Sequence, residues 1–273
     1  SLVVVSSSIC YVLACESFDY QILLALVIGG FLLTGSSNGF NEIIERDLDA
    51  LMSRTESRPL PQKRMGLVEA IIIASLAGAL GIGILGWFVN PLSGILGAIA
   101  LILYVAAYTP LKKVTPFSVF VGAFPGSIPT MIGCVAATEG FGDITLLGWL
   151  MFAVQFVWQF PHFWAIAWRL DDDYRKAGFK MLPSPMGRDK ASAFQVLVYT
   201  LTLLPISLLP VFFEITGVIS LVIAVIMGAI FTWQAYKLYT DLTSEAATKL
   251  MFGSFIYLPV VQLAYMFDKL ILG

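Results

Sequence analysis

Long stretches without any charged side chain restrict the fold of this chain more than any other feature. Charge-free intervals run over 1–15, 20–41, 70–111, 114–138, 144–168, 191–213, 215–236 and 250–267. A helix that crosses a bilayer needs about 20 mostly apolar residues. The 70–111 interval is long enough for two spans, and Asn90 and Pro91 favour a turn near its middle. We therefore predict an all-α polytopic membrane protein, a bundle of nine transmembrane helices.

The first interval, 1–15, is short, and neither an initiator methionine nor a basic residue precedes it. We interpret it as a truncated first span of a single transmembrane domain that covers 1–273. A cleaved signal peptide is the alternative, but a charged segment would precede its apolar run and a polar mature domain would follow.

The basic residues predict the orientation of the spans. Of the 16 Lys and Arg residues, 15 lie in the even-numbered connections, at 42–69, 112–113, 169–190 and 237–249. The positive-inside rule places these connections in the cytoplasm, and we expect a bacterial inner membrane rather than an organellar one. A net charge of -2 excludes the basic surplus that is typical of a protein that binds nucleic acid.

An acidic cluster lies at the end of the second span. Asn41, Glu45 and Asp49 are spaced four residues apart, so they share one face of a helix. Carboxylates this close repel one another unless cations neutralise them, and Mg²⁺ prefers such oxygen ligands. The pattern predicts a magnesium site, with ordinary solvated loop charge as the alternative.

A second acidic cluster, Asp171-Asp172-Asp173, follows the sixth span. Because adjacent residues cannot share one helical face, at most two of these carboxylates are expected to reach the same ion. We predict Asp172 and Asp173 as metal ligands. Two acidic clusters on one membrane face make solvated loop charge the weaker explanation.

Basic residues are interleaved with both clusters. A diphosphate needs metal ions on its bridging oxygens and Lys or Arg on the others, and the same contacts stabilise the charge that develops as it leaves. The candidates for binding a diphosphate are Arg54, Arg58, Lys112 and Lys176. Their alternative role is to fix the orientation of the spans.

The single histidine, His162, lies inside the sixth span. An ionisable side chain in a span is a functional hypothesis, because leaving it unpaired in hydrocarbon is costly. Pro161 can kink the helix and make room for a ligand. If the helix continues to Asp173, both side chains face a pocket beneath the acidic residues, where the imidazole ligates iron or transfers a proton. A histidine hydrogen-bonded between helices is the alternative. We interpret Trp164 and Trp168 as interfacial belt residues.

Several motifs resemble those of the UbiA-type intramembrane prenyltransferases. The run from Asn41 to Asp49, continuing to Leu60, resembles the first signature of that family. The continuation Arg54-Thr55-Glu56-Ser57-Arg58-Pro59 points to the heme O synthase branch. Segments 108–113, 125–129 and 158–163, followed by 172–174 and Gly178, point the same way.

The resemblance implies a central cavity that opens toward the cytoplasmic loops, with both acidic clusters binding Mg²⁺ and the diphosphate of farnesyl diphosphate. It implies transfer of a farnesyl group to a vinyl group of heme B, which gives heme O and releases diphosphate within the lipid bilayer. Water captures the intermediate cation, and heme A synthase would act downstream. The implied catalytic residues are Asn41, Glu45, Asp49 and Asp173, and the implied heme-binding residue is His162.

The chain departs from the family pattern at two places. Glu45 stands where relatives commonly carry aspartate, which keeps the charge and lengthens its reach. Leu170 and Tyr174 stand where the quinone-prenylating branch carries the aspartates of its second motif. The individual roles of Asp171 and its two neighbours stay open, and Asp173 ranks first.

Two other functions remain as alternatives. A quinone or other aromatic prenyltransferase would share the acidic clusters, and His162 within a span argues against it. A membrane transporter would carry ionisable residues near the bilayer midplane and interrupted spans on both sides. Here the dense charge lies on one face only.

Overall fold

Residues 2–272 are described by the computed structural model, and all regular structure among them is helical. The helices are α1 Leu2–Ala14, α2 Tyr20–Asp49, α3 Leu67–Val89, α4 Pro91–Leu111, α5 Ser118–Val135, α6 Leu146–Arg169, α7 Asp171–Lys176, α8 Lys190–Phe212, α9 Val218–Asp241 and α10 Ser244–Leu272.

Within this described part of the chain, eight helices are long and apolar enough to cross a membrane, namely α2 to α6 and α8 to α10. Helix α1 is also apolar but has only 13 residues. The predicted all-α polytopic fold is confirmed, and the nine predicted spans correspond to these eight helices and α1.

Asn90 and Pro91 separate α3 from α4, as predicted. The Asn90 Oδ1 accepts a hydrogen bond from the backbone N–H of Ser93 at 2.9 Å, and Pro91 occupies the first helical position. There its missing N–H costs nothing. The Asn90 Nδ2 donates to the Val135 carbonyl at 2.8 Å and so ties this turn to the end of α5.

Helices α5 and α6 form the centre of the bundle. In their most apolar windows 72% and 67% of residues are buried, against 22% in α2 and in α3. Helix α6 packs against α5, α8 and α10. The interpretation of Trp164 and Trp168 as belt residues is wrong, because their side chains are 5% and 0% exposed and pack in this core.

The outer helices present large apolar side chains on the outside of the bundle. Val68 and Ile72 on α3, and Val218 and Ile226 on α9, are more than half exposed. An apolar surface of this extent is unfavourable in water and matches the hydrocarbon of a bilayer.

Two local features shape the site. Residues Leu103–Tyr108 in α4 form a wide π-helical turn, in which the Thr109 N–H donates to the Tyr104 carbonyl five residues back. Helix α6 runs through Pro161 without interruption but ends at Arg169, where Leu170 leaves helical geometry. The condition that one helix continues from His162 to Asp173 is therefore not met.

Candidate active site

The first acidic cluster lies on the last turns of α2, on one face, as its spacing predicts. Asn41, Glu45 and Asp49 are buried, with exposures of 8%, 4% and 1%. Burial on this scale argues against solvated loop charge, because a buried carboxylate needs a cation or donors around it.

Cations from two other segments neutralise this cluster. Arg58, from the loop after α2, places its Nη1 2.8 Å from the Asp49 Oδ2 and its Nε 3.4 Å from the Glu42 Oε1. Lys112, at the end of α4, places its Nζ 2.5 Å from the Glu45 Oε1. The structure thus brings together four predicted site residues: Glu45, Asp49, Arg58 and Lys112.

Lys112 is enclosed by aromatic rings as well as by its ion pair. Its Nζ lies 5.2 Å from the ring centroids of both Tyr108 and Phe179. The backbone N–H of Lys180 donates to the Lys112 carbonyl at 2.8 Å, which attaches the loop after α7 to the end of α4. Burial lowers the pKa of the Lys112 ammonium, and the neighbouring Glu45 carboxylate opposes that shift.

Asp173 links the second cluster to the loop that follows the first. The Ser53 Oγ lies 2.8 Å from both carboxylate oxygens of Asp173, and the Lys176 Nζ lies 2.9 Å from its Oδ1. Hydrogen bonds from Lys176 and then Ser53 lower the pKa of Asp173 to about 2. The backbone N–H of Arg54 also contacts this carboxylate, while the Arg54 side chain is exposed.

The other two aspartates of the second cluster point to different partners. The Asp171 Oδ2 lies 2.9 Å from the Arg175 Nε. The Asp172 Oδ2 lies 3.0 Å from the Arg188 Nη2, and its side chain is 79% exposed. The structure brings Asp173, and not Asp172, to the loop of the first cluster.

The oxygen donors of this site fit a divalent cation only together with further ligands. Across residues 2–272, no three His, Cys, Asp or Glu side chains are grouped closely enough to hold a metal ion by themselves. The buried Asp49 Oδ1, however, has no hydrogen-bond partner among the described residues. An unpartnered buried carboxylate oxygen is a ligand that Mg²⁺ fits, since this ion keeps waters and takes substrate phosphates as its remaining ligands.

An apolar cavity of about 340 Å³ lies in the bundle, and Tyr108 connects it to the acidic cluster. Helices α1 to α6 and α10 contribute to its wall. The apolar and aromatic lining includes Leu26, Leu33, Leu101, Tyr104, Pro125, Trp158 and Phe163. A long hydrocarbon chain fits such a wall, because its burial there removes apolar surface from water.

His162 lies in the wall of this cavity, and one nitrogen of its ring is hydrogen-bonded to a neighbouring helix. Its Nδ1 lies 2.7 Å from the Ser254 Oγ, and that hydroxyl donates to the Met251 carbonyl at 2.6 Å. Because the hydroxyl proton is committed, Nδ1 must carry the hydrogen, and Nε2 retains a free lone pair. The ring stacks on Trp158 with centroids 4.5 Å apart. The predicted position in a pocket holds, although not through a continuous helix.

Sequence reasoning missed three residues that organise the site. Ser53 joins the clusters, Ser254 fixes the histidine tautomer, and Phe179 covers Lys112. A serine in a polar loop and another in a span carry no distinctive pattern. Phe179 directly follows Gly178, which belongs to the family motifs, so the sequence gives a weak indication of its position.

Comparison with known proteins gives the class that this fold and site define. The model of the UbiA prenyltransferase family matches residues 3–258. The chain belongs to the UbiA prenyltransferase family, and the predicted resemblance is confirmed.

Two bacterial relatives are similar to nearly the whole of this chain. A protein from Christiangramia forsetii, named protoheme IX farnesyltransferase, is 47% identical over 98% of this chain and 89% of its own length. A protein of the same name from Cytophaga hutchinsonii is 46% identical over 99% of this chain and 94% of its own length.

Solved structures show the same fold at low sequence identity. A digeranylgeranylglyceryl phosphate synthase has a TM-score of 0.80 and 20% identity, over 98% of this chain and 93% of that one. A UbiA homolog from Archaeoglobus fulgidus, bound to GPP and Mg²⁺, has a TM-score of 0.68 and 14% identity, over 97% of this chain and 98% of that one.

Proposed function

We propose that this enzyme transfers the farnesyl group of farnesyl diphosphate to a vinyl group of heme B, giving heme O and diphosphate. The observation that carries the proposal is the free Nε2 of His162 in the wall of an apolar cavity that adjoins a buried, cation-paired acidic cluster. The first feature suits a heme and the second a diphosphate. Relatives that share nearly half of the sequence are named for this reaction.

The acidic cluster beside the cavity would hold the diphosphate. Asn41, Glu45, Asp49 and Asp173 are the proposed ligands of Mg²⁺. Asp172, which the sequence also predicts as a ligand, pairs with Arg188 instead and is left out of the proposal. When bound there, Mg²⁺ supplies positive charge to the diphosphate oxygens and stabilises them as a leaving group. The basic residues proposed to contact those oxygens are Arg54, Arg58, Lys112 and Lys176.

Arg58 and Lys112 are held by carboxylates in the structure. If Glu45 and Asp49 hold Mg²⁺, their carboxylates are neutralised there, and Arg58 and Lys112 would be free to contact the incoming anion. The ion pairs therefore keep both cations in place before the substrate arrives, and this lowers the cost of ordering them.

The new carbon–carbon bond would form inside the cavity. As the bond between C1 of the farnesyl chain and the diphosphate breaks, an allylic cation forms among aromatic rings such as those of Tyr104 and Trp158. The vinyl group of heme then supplies the electron pair for the new carbon–carbon bond. His162 would bind heme through Nε2 as an axial iron ligand, because Ser254 fixes the opposite nitrogen as a donor.

One assay tests the whole proposal. Purified protein with Mg²⁺, heme B and farnesyl diphosphate should yield a heme whose mass has increased by a farnesyl group and a hydroxyl group. A quinone precursor such as a hydroxybenzoate, offered in place of heme, should remain unmodified. Prenylation of the aromatic acid without modification of heme would overturn the proposal in favour of the aromatic prenyltransferase alternative.

In the same proposal, the two acidic clusters lie on the cytoplasmic side of a bacterial inner membrane, where heme A synthase would consume the product. The asymmetry of the basic residues supports this orientation. Exposed Ser57 and Glu139 lie in connections on opposite faces of the bundle. In intact cells, an impermeant thiol reagent should label Glu139→Cys and spare Ser57→Cys; the reverse pattern would overturn the orientation.

A further inference from the structure

Gln159 is a buried polar residue in the wall of the cavity, and the steps of the proposed reaction give it no role. It is 3% exposed and lies one helical turn before His162 on α6. Its Nε2 lies 3.0 Å from the Ala123 carbonyl, 2.7 Å from the Ser127 Oγ and 3.3 Å from the Gln155 carbonyl. Carbonyl oxygens only accept, so these contacts fix which end of the carboxamide is the amino group.

The other end of the carboxamide, Oε1, is left without a donor. It lies against the Cα of Gly126, where any added methyl group would overlap it. Both residues line the cavity, and no described residue donates a hydrogen bond to this oxygen. A cavity oxygen of this kind is satisfied by water. Gln155 differs, because its Oε1 lies 3.4 Å from the Gln262 Nε2.

We infer that the Oε1 of Gln159 holds the water molecule that captures the cation formed on the heme side chain, an inference that rests on the proposed function. The position one turn from His162 places this acceptor beside the heme that the imidazole would bind. Because the carboxamide oxygen accepts a hydrogen bond from one O–H group of the water, a lone pair of the water oxygen stays free to attack the cation.

The vinyl electron pair forms the bond to C1 of the farnesyl chain, and the C1–oxygen pair leaves with diphosphate. Positive charge then rests on the vinyl carbon attached to the porphyrin. The water oxygen forms a bond to that carbon, and the released proton passes to the diphosphate anion. If water is not held there, the cation instead loses a proton from the neighbouring carbon, and the product is an alkene that lacks one water.

The ratio of these two products tests the inference. Gln159→Leu should raise the ratio of alkene to alcohol about tenfold, as expected for the loss of one hydrogen bond. Gly126→Ala keeps the glutamine but displaces its Oε1, so it should shift the ratio in the same direction. Gln155→Leu is the matched control, and its product ratio should equal that of the wild type. Mass spectrometry of the extracted heme resolves both products.

Each outcome decides between the two proposals. If the wild type yields no farnesylated heme, the proposed function fails. If the wild type yields the alcohol and both variants yield it in the same ratio, the role of Gln159 fails. If Gln155→Leu changes the ratio of alkene to alcohol as much as Gln159→Leu does, the effect comes from the polarity of the cavity, and the role of Gln159 is overturned. If Gln159→Leu and Gly126→Ala form neither the alcohol nor the alkene, the glutamine is needed for prenyl transfer itself, and this outcome also contradicts the inference.

Discussion

The buried ion pair between Glu45 and Lys112 permits a quantitative prediction. Their side chains are 5% and 10% exposed, and the pair lies where α2 meets α4. Lys112→Met removes the cation and leaves the Glu45 carboxylate buried without its partner. Breaking a buried pair in this way costs about 3 kcal/mol or more.

The loss of stability is expected as a lower melting temperature of the purified protein in detergent. For a chain of this size each kcal/mol corresponds to about 2–4 °C, so Lys112→Met should melt about 6–12 °C lower than the wild type. The adjacent Lys113 is exposed and has no described ion pair, which makes it the matched control. Lys113→Met should change the free energy of unfolding by less than about 0.5 kcal/mol.

A double variant separates structure from chemistry. Lys112→Met combined with Glu45→Leu removes both charges, and such replacements of buried pairs are often neutral. The double variant should therefore regain most of the lost melting temperature but transfer no farnesyl group, since Lys112 is proposed to hold the diphosphate. Full stability in the single variant would refute the energetic argument, and activity in the double variant would refute the diphosphate role.

Three further predictions concern individual side chains. Asp49→Ala should abolish turnover and Mg²⁺-dependent diphosphate binding while membrane insertion stays intact, and wild-type turnover would exclude Asp49 as a ligand. His162→Ala should lose the optical signature of bound heme while farnesyl diphosphate binds as before; unchanged heme binding would remove the ligand role. Because the pKa of Asp173 is lowered to about 2, its stabilising effect exists above its ordinary pKa of about 4 and is lost as the pH falls toward 2. Ser53→Ala removes a donor and should move that loss to higher pH in an acid titration followed by tryptophan fluorescence; an unchanged midpoint would argue against the Ser53 contact.

Local patterns predicted the parts of the site that lie on one element. Asn41, Glu45 and Asp49 share a face because helical geometry alone determines their positions. The turn at Asn90 was predictable for the same reason, since amide caps and proline act within a few residues. The basic residues interleaved with the clusters were predicted to bind a diphosphate, and their ion pairs with Glu45 and Asp49 are seen only in the folded bundle.

Contacts between distant segments were not predictable from spacing. Ser53 and Asp173 are 120 residues apart, and His162 and Ser254 are 92 apart, so only the packing of the bundle brings them together. The error at Trp164 had a similar cause. Composition indicates that tryptophan is common at membrane interfaces, but the packing of α6 at the centre of the bundle determines its actual burial.

The wide turn at Leu103–Tyr108 has a consequence for how α4 tolerates changes in length. A π-helical turn accommodates one residue more than an α-helical turn, and each residue advances the helix by about 100°. Lys112 faces Glu45 with that extra residue in place. Deleting Ala106 would let this turn close as a regular α-helical turn, so the residues on either side would keep their faces and the ammonium would stay beside its carboxylate. An insertion into the regular part of α4 would instead rotate the end of the helix by about 100° and carry the ammonium away. The wide turn therefore lets α4 lose one residue inside the membrane without moving the active site.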